Sequence, residues 1–127
     1  MKLDWPTIFV ALGGALGALT RYGISLGFAQ PERGLFPWGT LVANLSGCFL
    51  VGLLVGSGLW EKNSSARLGL GTGYLGALTT LSAFGVETIK QLEGHEWSLA
   101  LANVVANLAL GLIAVFLGMV LGRRFLA

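Results

Sequence analysis

Charged residues are scarce in this chain: eight Lys or Arg and six Asp or Glu make up only 11% of its 127 residues. It has one cysteine, Cys48, and one histidine, His95, so no internal disulfide and no pair of soft ligands for a transition metal are expected. A net charge of +2 is too small and too scattered for a nucleic-acid-binding surface. Ser82 has no histidine near it on a helical face, and no other nucleophile–base pair is evident, which argues against an enzyme.

Hydrophobic residues, in contrast, make up 54% of the chain, and the mean hydropathy is +0.76, which is typical of an integral membrane protein. Helices of about 20 residues cross a bilayer. Four apolar runs are long enough and predict one all-α, four-helix transmembrane domain over residues 1–127, with helices at about 6–28, 38–60, 67–90 and 97–122. Short polar connections make successive helices antiparallel. Trp5, Trp38, Trp60 and Trp97 fall at the predicted ends, as interfacial anchors do.

The third run contains an unusual stretch, Gly71–Phe84, with three glycines, three threonines and a serine. These residues weaken a helix or compete for its backbone hydrogen bonds. Irregular backbone survives within a membrane only where protein or a wet cavity satisfies its polar groups. The composition therefore predicts that the third helix is broken near its middle, at a polar site.

Glycines recur four residues apart, a spacing that allows membrane helices to cross closely. The five pairs are Gly13 with Gly17, Gly23 with Gly27, Gly52 with Gly56, Gly69 with Gly73, and Gly118 with Gly122. We interpret the set as packing surfaces, although a glycine-rich chain also produces such pairs by chance.

The loop charges indicate an orientation only weakly. Lys2, Lys62, Arg67, Arg123 and Arg124 lie on the side of the termini, against Arg33, Lys90 and, if it reaches the interface, Arg21 on the other side. This bias favours termini inside. Insertion in both orientations stays open.

Several polar residues lie within the predicted spans. Arg21 needs a partner, a wet vestibule or an interface, and Glu87 is either that partner or a contact of the headgroups. Thr40, Asn44 and Gly47 share one face of the second helix, where Asn44 serves either an anion or a neighbouring helix. Asn103 and Asn107 form a polar stripe on the fourth helix. A donor-rich path without deep carboxylates suits a small anion.

Three motifs together cover all four predicted helices: Gly13–Ala18 with Arg21–Tyr22, Pro37–Gly47, and Gly73–Phe84 with Glu87. In these motifs the chain resembles the CrcB/Fluc family of small fluoride channels. The resemblance implies an antiparallel, dual-topology homodimer in the inner (plasma) membrane of a prokaryote, with two pores that export fluoride passively and lower its toxicity. It also implies a structural sodium ion at the dimer centre, held by the backbone carbonyls of Gly76 and Thr79.

The same resemblance assigns the fluoride path. It implies pore roles for Asn44, Phe84, Thr80, Ser82 and, nearby, Thr40, a vestibule role for Arg21, and polar lining by Asn103 and Asn107. The family usually has Thr-Thr-Phe-Ser-Thr-Phe, so Leu81 replaces one of two aromatic contacts, and Ala83 also departs from the pattern. Ala77, Gly111 and Val115 are further departures, the last two where hydroxyl side chains are expected.

The residues and the resemblance leave three functions open. The first is a passive fluoride channel, which follows from the resemblance. The second is a proton-coupled fluoride transporter, which needs a titratable group at mid-membrane. The third is a small structural membrane subunit whose glycine surfaces bind partner helices. A homodimer is favoured over a heterodimer with a paralogue, which the charge bias and Leu81 leave open.

Overall fold

The computed structural model describes residues 4–28 and 34–126, and this part of the chain is helical without β-strands. Lys2 and Arg33, two of the residues used for the orientation argument, lie outside the described residues. The elements in chain order are α1 (Trp5–Gly27), α2 (Trp38–Gly56), α3 (Leu59–Lys62), α4 (Ser64–Ala66), the π-helical π1 (Arg67–Leu75), α5 (Gly76–Leu78), α6 (Leu81–Glu93), α7 (Trp97–Val105), π2 (Ala106–Leu110) and α8 (Gly111–Phe125).

Three helices in the described ranges are long and apolar enough to cross a membrane: Trp5–Gly27, Trp38–Gly56 and Trp97–Phe125. The last of these is α7, π2 and α8 in continuous succession. The remaining predicted span, 67–90, forms no single long helix. One segment, residues 67–78, consists of π1 followed directly by α5, and the other is α6.

The break in the third run is confirmed. Helix α5 ends at Leu78, Thr79 and Thr80 are both extended, with ψ of 152° and 112°, and α6 begins at Leu81. The two extended residues fall within the stretch whose glycine, threonine and serine content predicted an interruption.

Some boundaries differ from those expected. Helix α2 ends at Gly56 rather than near residue 60, because Gly58 follows in the left-handed region at φ 73° and turns the chain into α3. Trp60 lies in α3 and its ring packs on Gly71, so this predicted interfacial anchor also contacts the protein.

Asp4 caps α1. Its carboxylate accepts hydrogen bonds from the Thr7 hydroxyl (2.6 Å) and amide (3.0 Å), and these bonds lower the pKa of Asp4.

Close helix crossings explain most of the glycine pairs. A methyl group on Gly13 or Gly17 would overlap the backbone of Gly69 or Tyr74, which places α1 directly against π1. At the second crossing, Gly52 and Gly56 of α2 meet the backbone of residues 115–119, and Gly118 and Gly122 of α8 meet that of residues 49–57. Gly23 and Gly27 have no described neighbour within 4 Å of such a methyl group, so the packing role predicted for that pair is not found within the subunit.

The distribution of polarity is that of a membrane protein. Leu16, Leu112 and Phe116 point outward, with 60%, 74% and 65% of their surface exposed. Buried positions include polar side chains, among them Thr80 and Asn103. An apolar exterior of this extent around a partly polar interior is stable in lipid, where backbone and amide groups must be satisfied internally.

Candidate functional site

Asn44 of α2 binds the backbone at the break. Its Oδ1 atom accepts a hydrogen bond from the Thr80 amide at 2.7 Å, and its Nδ2 atom donates to the Thr80 carbonyl at 3.3 Å. In an unbroken helix the Thr80 amide would donate to the carbonyl of Gly76, four residues earlier. The Asn44 side chain therefore replaces a helical bond and leaves the Gly76 carbonyl without that donor.

The Thr80 hydroxyl replaces a second helical hydrogen bond, one turn later. This hydroxyl accepts a hydrogen bond from the Ala83 amide at 3.1 Å and so caps α6, and it lies 3.1 Å from the Ser82 hydroxyl. The Ala83 amide would otherwise donate to the carbonyl of Thr79. Gly76 and Thr79 are thus the two residues whose helical partners have been taken by side chains, and they are the residues predicted to hold sodium by their carbonyls.

Backbone carbonyls suit a hard cation, which prefers oxygen ligands. The described residues contain no group of three or more His, Cys, Asp or Glu side chains that would hold a metal instead. The donor set at the break therefore fits the predicted ion chemically, and Gly76 lies exposed on the surface of the single subunit.

An amide relay links Asn44 to the last long helix and back to α6. Asn44 Nδ2 donates to Asn107 Oδ1 at 2.9 Å, and Asn107 Nδ2 donates to Asn103 Oδ1 at 2.9 Å. Asn103 Nδ2 then donates to the Thr88 hydroxyl at 3.0 Å, which donates to the Phe84 carbonyl at 2.8 Å. Because the Thr80 amide can only donate, it fixes the orientation of Asn44 and thereby of every amide in the relay.

Sequence reasoning missed two parts of this relay. Thr88 was not identified, although it lies four residues after Phe84 and so on the same face of α6. The π-helical turn π2, which contains Asn107, was also not predicted. The spacing of Asn103 and Asn107 was the available signal for the relay, because side chains four residues apart lie on one face of a helix. The Asn107 amide also donates to the Asn103 carbonyl, at 3.0 Å.

The predicted polar face of α2 is confirmed at its three positions. Thr40 donates to Glu87 Oε1 at 2.5 Å, Asn44 binds Thr80, and Gly47 makes room for the Thr79 side chain, which a methyl group would overlap. One face of α2 therefore contacts α6 and the break along its length.

Arg21 is half-buried, and among the described residues it makes no hydrogen bond or ion pair. Of the two alternatives offered for Glu87, the pair with Arg21 is not formed, because Thr40 binds its Oε1 atom instead. The reason is geometric, because Thr40 approaches Glu87 from α2 inside the subunit.

A groove of about 430 Å³ opens beside the break. Its described lining residues are Asn44, Gly47, Cys48, Val51, Gly71, Leu75, Gly76, Thr79, Thr80, Leu81, Phe84, Asn107 and Leu108. The groove unites five of the predicted pore residues, Asn44, Thr80, Leu81, Phe84 and Asn107, with both predicted carbonyl donors. Leu81 lies at its outer edge, 79% exposed.

Four predicted path residues are not among the groove's lining residues. Asn103 is fully buried behind Asn107, and Ser82 is exposed with its hydroxyl beside that of Thr80. Thr40 binds Glu87, and Arg21 belongs to α1. None of the described lining residues is charged. Most of the lining is aliphatic, and its polar part includes the Thr80 hydroxyl, whereas the amide protons of Asn44 and Asn107 are bonded within the subunit.

The comparisons with known proteins agree with the sequence motifs. Residues 8–119 match the family model described as CrcB-like protein, Camphor Resistance (CrcB). A protein from Acidobacterium capsulatum is 41% identical over the full length of both chains. Relatives from Sorangium cellulosum (40% identical, 94% of this chain and 95% of the relative) and a Shewanella species (45%, 87% and 90%) are similar. All three are called fluoride-specific ion channel FluC. The predicted resemblance is confirmed, and this chain belongs to the CrcB family.

Proposed function

We propose that this chain forms a fluoride-selective ion channel that lets fluoride leave the cytoplasm passively and thereby lowers fluoride toxicity. The names of its relatives support this function. The observation that carries it is the groove beside the break, whose described lining is neutral and includes the Thr80 hydroxyl and the Phe84 ring. A dehydrating anion needs such donors, whereas a carboxylate in the lining would repel it.

The groove supplies its anion contacts from Thr80 and Phe84. The Thr80 and Ser82 hydroxyls share one hydrogen bond, which uses one of their two hydroxyl protons and leaves the other to an anion. The edge of the Phe84 ring carries partial positive charge and adds a second contact. Asn44 uses both amide protons within the subunit, so its role is to hold Thr80 and Asn107 in place.

The membrane arrangement that we propose has four crossings, the third made of residues 67–90 on both sides of the break. Its polar backbone at Thr79 and Thr80 is bonded to Asn44 and capped by Thr80 itself, which supports placing it at membrane depth. We place the protein in the inner membrane of a prokaryote as a multi-pass channel.

Two copies of this chain, inserted in opposite orientations, form the proposed assembly. The support is the exposed Gly76 beside the break: two subunits meeting there would contribute four carbonyl oxygens, from Gly76 and Thr79 of each, to a structural sodium ion. The freed carbonyls would hold this ion and keep the break open. We favour a homodimer over a pair with a paralogue, because one chain in both orientations provides two equivalent pores.

Fluoride efflux from liposomes containing the purified protein tests the channel function. We expect fluoride release with negligible chloride release. Replacing Asn107 with leucine removes the acceptor of Asn44 and the donor to Asn103, and we expect fluoride efflux to fall about tenfold.

The matched control is Leu108→Met, a volume-conserving change in the same groove wall, which should leave efflux near the wild-type rate. Wild-type protein that releases no fluoride would contradict the channel function. Unchanged efflux in the Asn107 variant would contradict only the role of that residue.

The position of Glu87 favours the second candidate function, a proton-coupled fluoride transporter. It is a half-buried titratable group bonded to Thr40, on the same helix as Phe84. Coupling predicts that a pH gradient alone drives fluoride uphill. A channel predicts that fluoride follows only its own electrochemical gradient.

A further inference from the structure

Gln91 of α6 is buried, with 5% of its surface exposed, and neither Nε2 nor Oε1 has a hydrogen-bond partner in residues 4–28 and 34–126. Glu87 lies one turn earlier. Its Oε1 atom is bound by Thr40, but Oε2 is buried without a partner among the same residues. Buried polar atoms are nearly always paired, with protein or with ordered water, so three unpaired atoms within one helical turn point to a bound ligand.

These atoms continue the face of α6 that carries the proposed anion contact. Phe84, Glu87, Thr88 and Gln91 are spaced at i, i+3, i+4 and i+7 and share one side of the helix. Thr40 meets this side at Glu87 and Asn103 meets it at Thr88, whereas Ile89 on the opposite side is exposed. At 1.5 Å per residue, Gln91 lies about 10 Å along the helix from Phe84.

The mixture of donors and acceptors identifies the ligand. A cation would bind the two oxygens but leave the Gln91 amide protons unmatched, and an anion would bind those protons but be repelled by Glu87. Water both donates and accepts, and it is small enough to be buried, so it matches all three atoms. We propose that Gln91, Glu87 and Thr40 form a hydration site that holds buried water at one end of the anion path.

This site deepens the proposed channel function and, in its effect on transport, rests on it. Fluoride is strongly hydrated and must exchange its water shell for protein donors and regain it on leaving. Ordered water held two turns from Phe84, on the same face, provides partners for that exchange and keeps the Glu87 carboxylate hydrogen-bonded. Gln91 is therefore a positioning residue for water rather than a direct fluoride contact.

The test combines a crystal structure, unfolding midpoints in detergent and fluoride efflux for the wild type, Gln91→Leu and a control, Ile89→Leu. We expect water density within hydrogen-bond distance of Gln91 and Glu87 Oε2 in the wild type, and its loss in Gln91→Leu. The Gln91→Leu variant should unfold at a lower temperature, because Glu87 Oε2 loses the water that it binds, and fluoride efflux should fall about tenfold. Ile89→Leu, on the exposed side, should behave as the wild type.

Three results would overturn the proposal. One is a higher unfolding midpoint for Gln91→Leu with unchanged efflux, since removing dry, unpaired atoms stabilises a protein. The second is density showing a direct bond from Gln91 Nε2 to Glu87 Oε2 without water. The third is an anomalous signal from rubidium at the site, which would identify a cation. If the wild type releases no fluoride, the channel function fails, while the density and the midpoints still decide the hydration site.

Discussion

Replacing Asn44 with leucine is expected to abolish fluoride efflux and to lower the unfolding midpoint more than any other single polar substitution in the groove. The change leaves the Thr80 amide and the Asn107 Oδ1 atom without their partners. An orphaned buried group such as the Thr80 amide costs about 1–3 kcal/mol, and the half-buried Asn107 oxygen adds to this cost. A loss of about 3 kcal/mol in the conducting arrangement alone corresponds to a rate more than about 100-fold lower.

The reason for so large an effect is that Asn44 holds the break open. Without it, the Thr80 amide avoids that cost only by returning to the Gly76 carbonyl and extending the helix, which removes the carbonyl proposed for the sodium ion. Fluoride efflux and the midpoint of unfolding in detergent measure the two consequences separately.

Ser46→Ala is the matched control, because within residues 4–28 and 34–126 the Ser46 hydroxyl bonds only to the Ala43 carbonyl of its own helix, at 3.0 Å. It should change neither measurement. An Asn44→Leu protein that conducts at the wild-type rate would mean that the break is held by some other contact.

The break itself was predictable because its cause is local. Glycine, threonine and serine disfavour a helix wherever they cluster, and the stretch Gly71–Phe84 combines all three within an apolar run. The face of Thr40, Asn44 and Gly47 was predictable for a similar reason, since helical periodicity places the three together whatever surrounds them.

The partners of polar residues could not be derived in the same way, because they depend on which helices meet. Asn103 was predicted to be a polar residue of the path, and its bond to Thr88, made where α6 meets α7, could not be predicted. Glu87 was considered as a partner for Arg21, but the approach of α2 brings Thr40 to it instead. Gln91, in a stretch read only as a connection, showed no signal until its burial was known.

The contacts of the glycine pairs could not be predicted either, because they also depend on which helices meet. All five have the same spacing, yet four lie at crossings and Gly23 with Gly27 has no described neighbour. Spacing establishes that a close approach is possible, and only the fold decides where it is used.

Gly118→Ala is expected to destabilise the protein, whereas Gly23→Ala is expected to leave it unchanged or make it more stable. In a helix interior, alanine is more favourable than glycine by about 0.5–1 kcal/mol. At Gly118 the added methyl group would overlap the Phe49 carbonyl oxygen and lie 2.9 Å from the Leu53 amide nitrogen, both on the backbone of α2. Neither can move alone, so the two helices must separate, at a cost of about 1–3 kcal/mol.

Separation of α2 from α8 would also disturb the groove. The bond between Asn44 and Asn107, at 2.9 Å, joins α2 to π2, which continues directly into α8. A shift of a few tenths of an ångström or more weakens this bond. Gly118→Ala should therefore lower both the unfolding midpoint and fluoride efflux, although Gly118 is not among the groove's lining residues. Gly23→Ala is the control in both measurements. Equal midpoints for the two variants would show that α2 and α8 do not pack at backbone contact, and the position of Asn107 would then need another support.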